Sequence, residues 1–406
     1  MSEHKHFSRR QLLGTSGALF AWAYAPKFAH AAQGRDPRLI VIILRGGLDG
    51  LSAVAPIGDP LYASLRGDIA LRSDGATPAL ALDSFFALHP AMPNFGRLYR
   101  QGAATVVHAV ATPYRERSHF DGQDVLESGF AGAGVTRSGW LNRVLAALPK
   151  GEKIRKGGLG VGPSTPLILR GDAPVTGWAP TNLQPASEDL ALRVLDLYAQ
   201  RDPALGTALK QGLDIEKLAA REMTGDKAKT IGGNPVEAMR NIARGAAKLI
   251  AAEDGPRIAA LAFDGWDTHA NEGGATGRLA QLLGGLDGAF AEIETELAKV
   301  WKDTSVVVVT EFGRTARING TIGTDHGTGT LALLAGGAVK GGRVIADWPG
   351  LAEHQLFEKR DLKPTTDLRA VLKGLLAEQF GLSDGVLGND IFPDSLSVKP
   401  MRGLTA

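Results

Sequence analysis

Leu39-Ile40-Val41-Ile42-Ile43-Leu44-Arg45-Gly46-Gly47-Leu48-Asp49-Gly50 reads as a strand that is apolar on both faces and then breaks into a glycine-rich turn carrying an acid. A run without polar alternation has no face suited to water. It belongs inside a sheet covered on both sides, as parallel strands joined by helices are. Similar short runs recur at 104–110, 257–263, 305–310 and 330–334. Between the third and fourth of these five runs, Leu279, Leu282, Leu283, Leu286, Phe290, Ile293, Leu297 and Val300 repeat at three- and four-residue steps, the stripe of one buried helix. Helices are also expected at 190–200, at 235–252 with its proline in the first turn, and at 367–380. This alternation predicts an α/β fold: a doubly wound, mostly parallel sheet with helices on both faces. The Gly-, Pro- and Lys-rich segment 151–233 has weak periodicity and is expected to be an insertion or cap on that sheet.

The first thirty residues have the grammar of a secretory signal. Lys5, Arg9 and Arg10 precede an apolar stretch at 12–28 and an Ala29-His30-Ala31 exit. Ser8-Arg9-Arg10-Gln11-Leu12-Leu13 matches the twin-arginine pattern. The apolar stretch is broken by Pro26 and falls short of the ~20 residues of a spanning helix. Residues 1–31 are therefore expected to be a signal carried by the twin-arginine translocase, and 32–406 an exported domain, periplasmic or secreted, with no stable membrane span. Lys and Arg number 45 against 43 Asp and Glu, with no basic block to suit nucleic acid. Cysteine is absent, which excludes disulfides, thiolate metal sites, Fe–S clusters and cysteine nucleophiles. Any metal must sit among oxygen and imidazole ligands.

Ligands of open α/β sheets bind beyond the carboxyl ends of the strands, so acids and histidines there are the candidates for chemistry. Asp49 is either a carboxylate ligand or the stabiliser of its turn. Asp267 and His269, two apart on an extended segment, face one side and offer mixed oxygen and nitrogen ligands. Glu311 ends the fourth run with Arg314 close by. Asp325-His326 lies between glycines ahead of the fifth; a turn carboxylate and a satisfied core histidine are the plainer alternatives. Ser118 is a helix cap with Asp121, or a nucleophile or metal ligand at a helix start, with Arg115 and Arg117 available to an anion and His119 orienting it. His89, His108 and His354 read as structural.

Together with the twin-arginine start, Gly47-Leu48-Asp49-Gly50, Arg117-Ser118-His119-Phe120, Gly265-Trp266-Asp267-Thr268-His269, Glu311-Phe312-Gly313-Arg314-Thr315 and Thr324-Asp325-His326-Gly327 resemble the bacterial domain of unknown function 1501 family, across nearly the whole mature chain. The resemblance implies the alkaline phosphatase and sulfatase superfamily, with an alkaline-phosphatase-like sheet and one or two divalent metals (Zn, Mn, Mg or Ca). It implies Asp49, Asp267, His269, Glu311, Asp325 and His326 as ligands, Ser118 as the hydroxyl, and Arg117 and Arg314 as neutralisers of developing charge. Two positions depart from the superfamily pattern. Phe312 stands where a histidine ligand is expected, and Ala111-Thr112-Pro113-Tyr114-Arg115 carries alanine where sulfatases oxidise Cys or Ser. The implied activity is metal-dependent hydrolysis of phosphate or sulfate esters, or of a related anionic group, on a small molecule or polymer. The rival is a non-catalytic periplasmic protein that keeps the fold and binds a partner or polymer. A serine esterase is disfavoured, because no G-x-S-x-G follows a strand.

Overall fold

The computed structural model describes residues 35–149, 157–162, 164–180, 191, 194, 195, 197, 198, 202–223 and 234–406. The signal segment and most of the helix expected at 190–200 lie outside them. In chain order the strands are β1 (Arg38–Leu44), β2 (Val54–Ala55), β3 (Leu80–Ala81), β4 (Ala87–Leu88), β5 (Ala104–Ala111), β6 (Gly158–Val161), β7 (Val175–Trp178), β8 (Ile258–Phe263), β9 (Thr304–Thr310), β10 (Thr330–Ala335), β11 (Arg343–Ile345) and β12 (Thr366–Asp367). Nine of them form one sheet in the order β11-β5-β10-β9-β1-β8-β6-β7, with β12 also on β5, and β2-β4-β3 make a small separate one. Thus two strands from the segment expected as a cap, β6 and β7, continue the main sheet beside β8.

All seven residues of β1 are buried, as its unbroken apolar run demands. Its side chains alternate between two cores. Ile40, Ile42 and Leu44 pack with Leu283, Leu286, Phe290 and Ile293 of the Arg278–Glu296 helix and Ala243, Ala247 and Ile250 of the Pro235–Ala251 helix. Leu39, Val41 and Ile43 pack with Trp140, Leu141 and Val144 of the Trp140–Ala147 helix and Val371, Leu372 and Leu375 of the Leu368–Phe380 helix. Each such side chain withdrawn from water contributes ~1.5–3 kcal/mol, so strand and helices on both faces stabilise one another. This is the doubly wound α/β arrangement. Among the described residues no helix is long and apolar enough to cross a membrane.

One strand runs against the rest. β10 is antiparallel to both β5 and β9, whereas β1 is parallel to β8 and β9. An antiparallel strand begins at the edge where its neighbours end. The segment before β10 therefore meets the segments after β1, β5, β8 and β9 at a single edge of the sheet.

Candidate metal centre

Three imidazoles and one carboxylate converge at that edge. His119 comes from the turn after β5, Asp267 and His269 from the loop after β8, and His326 from the loop before β10. Asp267 Oδ1 lies 3.1 Å from His269 Nε2 and 3.4 Å from His326 Nε2, while Oδ2 lies 3.5 Å from His119 Nε2. The two Nε2 atoms of His269 and His326 are 2.9 Å apart.

The far nitrogen of each ring is fixed by an oxygen. His119 Nδ1 is 2.9 Å from Glu311 Oε1, His269 Nδ1 is 3.2 Å from Asp325 Oδ1, and His326 Nδ1 is 2.9 Å from the Arg117 carbonyl. An acceptor at Nδ1 holds the proton there and turns the Nε2 lone pair towards the opposite side, which is how metal-ligating histidines are oriented. His119 Nε2 is buried without a hydrogen-bond partner. The Nε2 atoms of His269 and His326, 2.9 Å apart, are satisfied by a proton shared between the rings or by a cation beside them. With bonds of ~2.0–2.2 Å, ligand atoms around one tetrahedral ion sit about 3.3–3.5 Å apart. His119, Asp267 and His326 each bring a ligand atom within 4.8 Å of the other two, so these three residues fit a single small cation, with His269 Nε2 adjoining them 3.1 Å from Asp267 Oδ1.

Burial acts to raise the Asp267 carboxyl, but the Arg314 guanidinium, 2.5 Å from Oδ1, holds it below the usual range. Burial likewise opposes ionisation of Glu311, and donors from His119, the Gly46 N–H and Gln123 overcome it. Its hydrogen bond to His119 in turn raises the pKa of that ring, whereas burial lowers that of His326. Arg314 itself is buried, and its Nε and Nη1 have no acceptor among the described residues.

Local sequence explains the close approach of these loops. A Cβ on Gly46, whose φ is +122°, would stand 2.4 Å from the Asp267 nitrogen, so only glycine lets the turn after β1 lie against the Asp267 loop. The Phe312 ring packs beside His119 and His326, its centroid 4.9 and 5.2 Å from theirs. Arg117 adopts the left-handed φ of +62°, a conformation uncommon outside glycine, at the point where its carbonyl meets His326.

A model of a protein family of unknown function, DUF1501, matches residues 36–391. The chain belongs to the DUF1501 family. No curated protein matches it. Among solved structures, the chain is similar to PsFucS1 sulfatase from Pseudoalteromonas sp. at 14% identity, over 96% of this chain and 76% of that one, with a TM-score of 0.40. It is also similar to the phosphonate monoester hydrolase of Agrobacterium radiobacter at 12% identity, over 86% and 74% of the two chains, with a TM-score of 0.35.

In this DUF1501 chain, Asp267, His269 and His326 meet as the sequence predicts. Of the other acids expected as ligands, Glu311 Oε1 lies 2.9 Å from His119 Nδ1 and Asp325 Oδ1 lies 3.2 Å from His269 Nδ1. His119, expected only as an orienter of Ser118, packs beside Phe312 and brings its Nε2 to 3.5 Å from Asp267 Oδ2. Asp49 is drawn away from the cluster. Its Oδ1 caps the Gly50–Ala53 helix through the Leu51 and Ser52 N–H groups, and its Oδ2 pairs with the buried Arg66. The Arg117 guanidinium, expected to meet an anion, pairs with Glu358 at 2.6 Å and Asp361 at 2.7 Å. Ser118 stands at the N-terminus of the His119–Ser128 helix without using its side chain as a cap. His89 and His108 are buried, bonded to the Gly274 and Val54 carbonyls, in keeping with structural roles.

Replacing a carboxylate behind a ligating imidazole typically costs 10–100-fold in metal affinity. Glu311→Gln should therefore lower zinc affinity by about that factor in a chelator competition titration, with the fold intact. An unchanged affinity would detach Glu311 from the centre.

Beneath the centre lies a buried ion network. Glu272 Oε2 accepts from Thr268 Oγ1 at 3.0 Å and Thr324 Oγ1 at 2.7 Å, joining the two loops that carry Asp267, His269 and His326. Its Oε1 is 3.7 Å from Arg66, which also donates to the Thr315 carbonyl at 3.1 Å. Burial, reinforced by the neighbouring Asp49 charge, pushes the Glu272 carboxyl up to about 8. The folded chain thus keeps this proton to about pH 8, whereas the unfolded chain releases it near 4.5. Over that interval the fold binds more protons than the unfolded state, so stability falls as pH rises through it. Glu272→Gln removes the titration and can donate to Asp49 as the protonated acid does. The melting temperature of the variant relative to wild type should rise steadily from pH 5 to pH 8; a pH-independent difference would contradict this assignment.

Proposed function

We propose that His119, Asp267, His269 and His326 hold one divalent cation, and that the centre hydrolyses phosphate or sulfate esters in an exported protein. The observation that carries this is the common orientation of the three imidazoles: every Nδ1 is bound to an oxygen and every Nε2 turns to Asp267. Three nitrogens against one carboxylate suit zinc or another imidazole-preferring ion better than magnesium or calcium. Such an ion supplies Lewis-acid polarisation of an ester oxygen and acidifies water at neutral pH.

The chain supplies the remaining parts. Arg314 offers two buried N–H groups without acceptors, beside Asp267, and a substrate anion satisfies them. Ser118 would serve as the hydroxyl nucleophile, a reading supported by its place at a helix N-terminus with no capping bond, and water would complete the hydrolysis. Loss of the sulfatase cysteine or serine at Ala111 leaves this hydroxyl as the alternative to direct attack by water. The twin-arginine signal in residues 1–31 supports export of the folded, metal-loaded chain through the translocase.

The test is elemental analysis of protein exported with its own signal, followed by hydrolysis assays on aryl phosphates and sulfates with Zn, Mn, Mg and Ca. One ion per chain with turnover of either ester supports the reading. An ion with no turnover of any ester supports the non-catalytic rival, and no ion overturns the metal centre and with it the hydrolase reading.

A further inference from the structure

A cavity of about 420 Å³ opens beside the centre, and Asp325, the carboxylate behind His269, forms part of its wall. That carboxylate lies 3.2 Å from the His269 Nδ1, so one side chain of the cavity wall touches the centre. That volume lies within the range of small-molecule sites. The lining is divided in character. Leu61, Leu65, Ile318 and Leu356 give an apolar surface, while Arg317, Lys359 and Arg360 bring positive charge.

Most of these charges are already committed. Asp325 accepts from His269 and Asn319, Glu353 pairs with Lys359 at 3.6 Å, and Arg360 donates to the His326 carbonyl at 2.9 Å. The guanidinium of Arg317, exposed to solvent, has no ion-pair or hydrogen-bond partner among the described residues. An apolar wall with one uncommitted guanidinium is complementary to a flat ring bearing a negative charge.

We infer that this cavity receives the alcohol portion of the substrate, and that this portion is a ring carrying a second anionic group, recognised by Arg317. The inference rests on the hydrolase reading and specifies its substrate: an ester whose leaving group is itself negatively charged. A sugar ring or an aromatic ring with such a substituent meets the description equally.

The probes are 4-carboxyphenyl and 4-methylphenyl esters, as phosphates and as sulfates, which differ in the charge on the ring. Wild-type protein should prefer the carboxylated ester. In Arg317→Ala the ratio of kcat/KM for the two esters should fall about tenfold, the order expected for one charge-assisted hydrogen bond, with the loss lying in KM. Arg317→Lys should restore most of it. Equal effects on the two esters, or none, overturn the inference. A binding measurement keeps the two readings distinct: calorimetry with the non-hydrolysable 4-carboxybenzylphosphonate should show the same loss on Arg317→Ala. If that loss appears while no ester is turned over, the hydrolase reading fails and the anion subsite stands. If esters are turned over and the loss is absent from both measurements, the subsite fails alone.

Discussion

Asp267→Asn protein is expected to retain its fold, to lose more than ~100-fold in zinc affinity, and to hydrolyse esters about 10³-fold more slowly than wild type. Asp267 is the one acid that touches all three imidazoles, at 3.1, 3.4 and 3.5 Å. Removing a carboxylate behind a ligand costs 10–100-fold in affinity, and removing a ligand costs more. A Lewis acid supplies several kcal/mol of transition-state stabilisation, and each ~1.4 kcal/mol is a factor of ten in rate. Asparagine is preferred to alanine, because the buried Arg314 then keeps an oxygen to face. Elemental analysis and single-turnover assays of the same preparation check both numbers. Full metal content with full activity would remove Asp267 from the centre.

The second large effect concerns stability. Arg66→Ala should destabilise the fold by on the order of 3–5 kcal/mol, read from urea unfolding. Arg66, Asp49 and Glu272 are almost wholly shielded from water, and taking away the cation leaves the buried Asp49 carboxylate without compensation beside the protonated Glu272. The paired change Asp49→Asn with Arg66→Met should recover part of that loss, since asparagine can still cap the Gly50–Ala53 helix and methionine fills the space of the guanidinium stem. If the double variant is no better than Arg66→Ala, removing the uncompensated Asp49 charge recovers nothing and the ion network is incidental.

The strands were legible because burial on both faces leaves an unmistakable apolar run, as in β1, and the helix stripe from Leu279 to Leu297 was legible for the same reason. Asp267 and His269 could be paired because an extended backbone sets residues two apart on one side. His326 was reachable from its position before a strand, although only the reversed direction of β10 explains why a residue preceding a strand joins others that follow strands. His119 was not reachable as a ligand. Its orientation depends on the left-handed turn at Arg117 and on a carboxylate 192 residues away. Nor does sequence separate a ligating acid from one that backs a histidine: Glu311 and Asp325 have the same local setting as Asp267. The pairing of Asp49 with Arg66 was not legible, because Arg66 sits in a short helix that nothing in the local pattern distinguishes.

X-ray absorption at the zinc edge of the loaded protein examines the coordination itself. It should show three imidazole nitrogens and one or two oxygens at ~2.0–2.2 Å, with one imidazole lost in each of His119→Ala, His269→Ala and His326→Ala. A shell of oxygens alone, or a spectrum indifferent to all three substitutions, would contradict the centre described here.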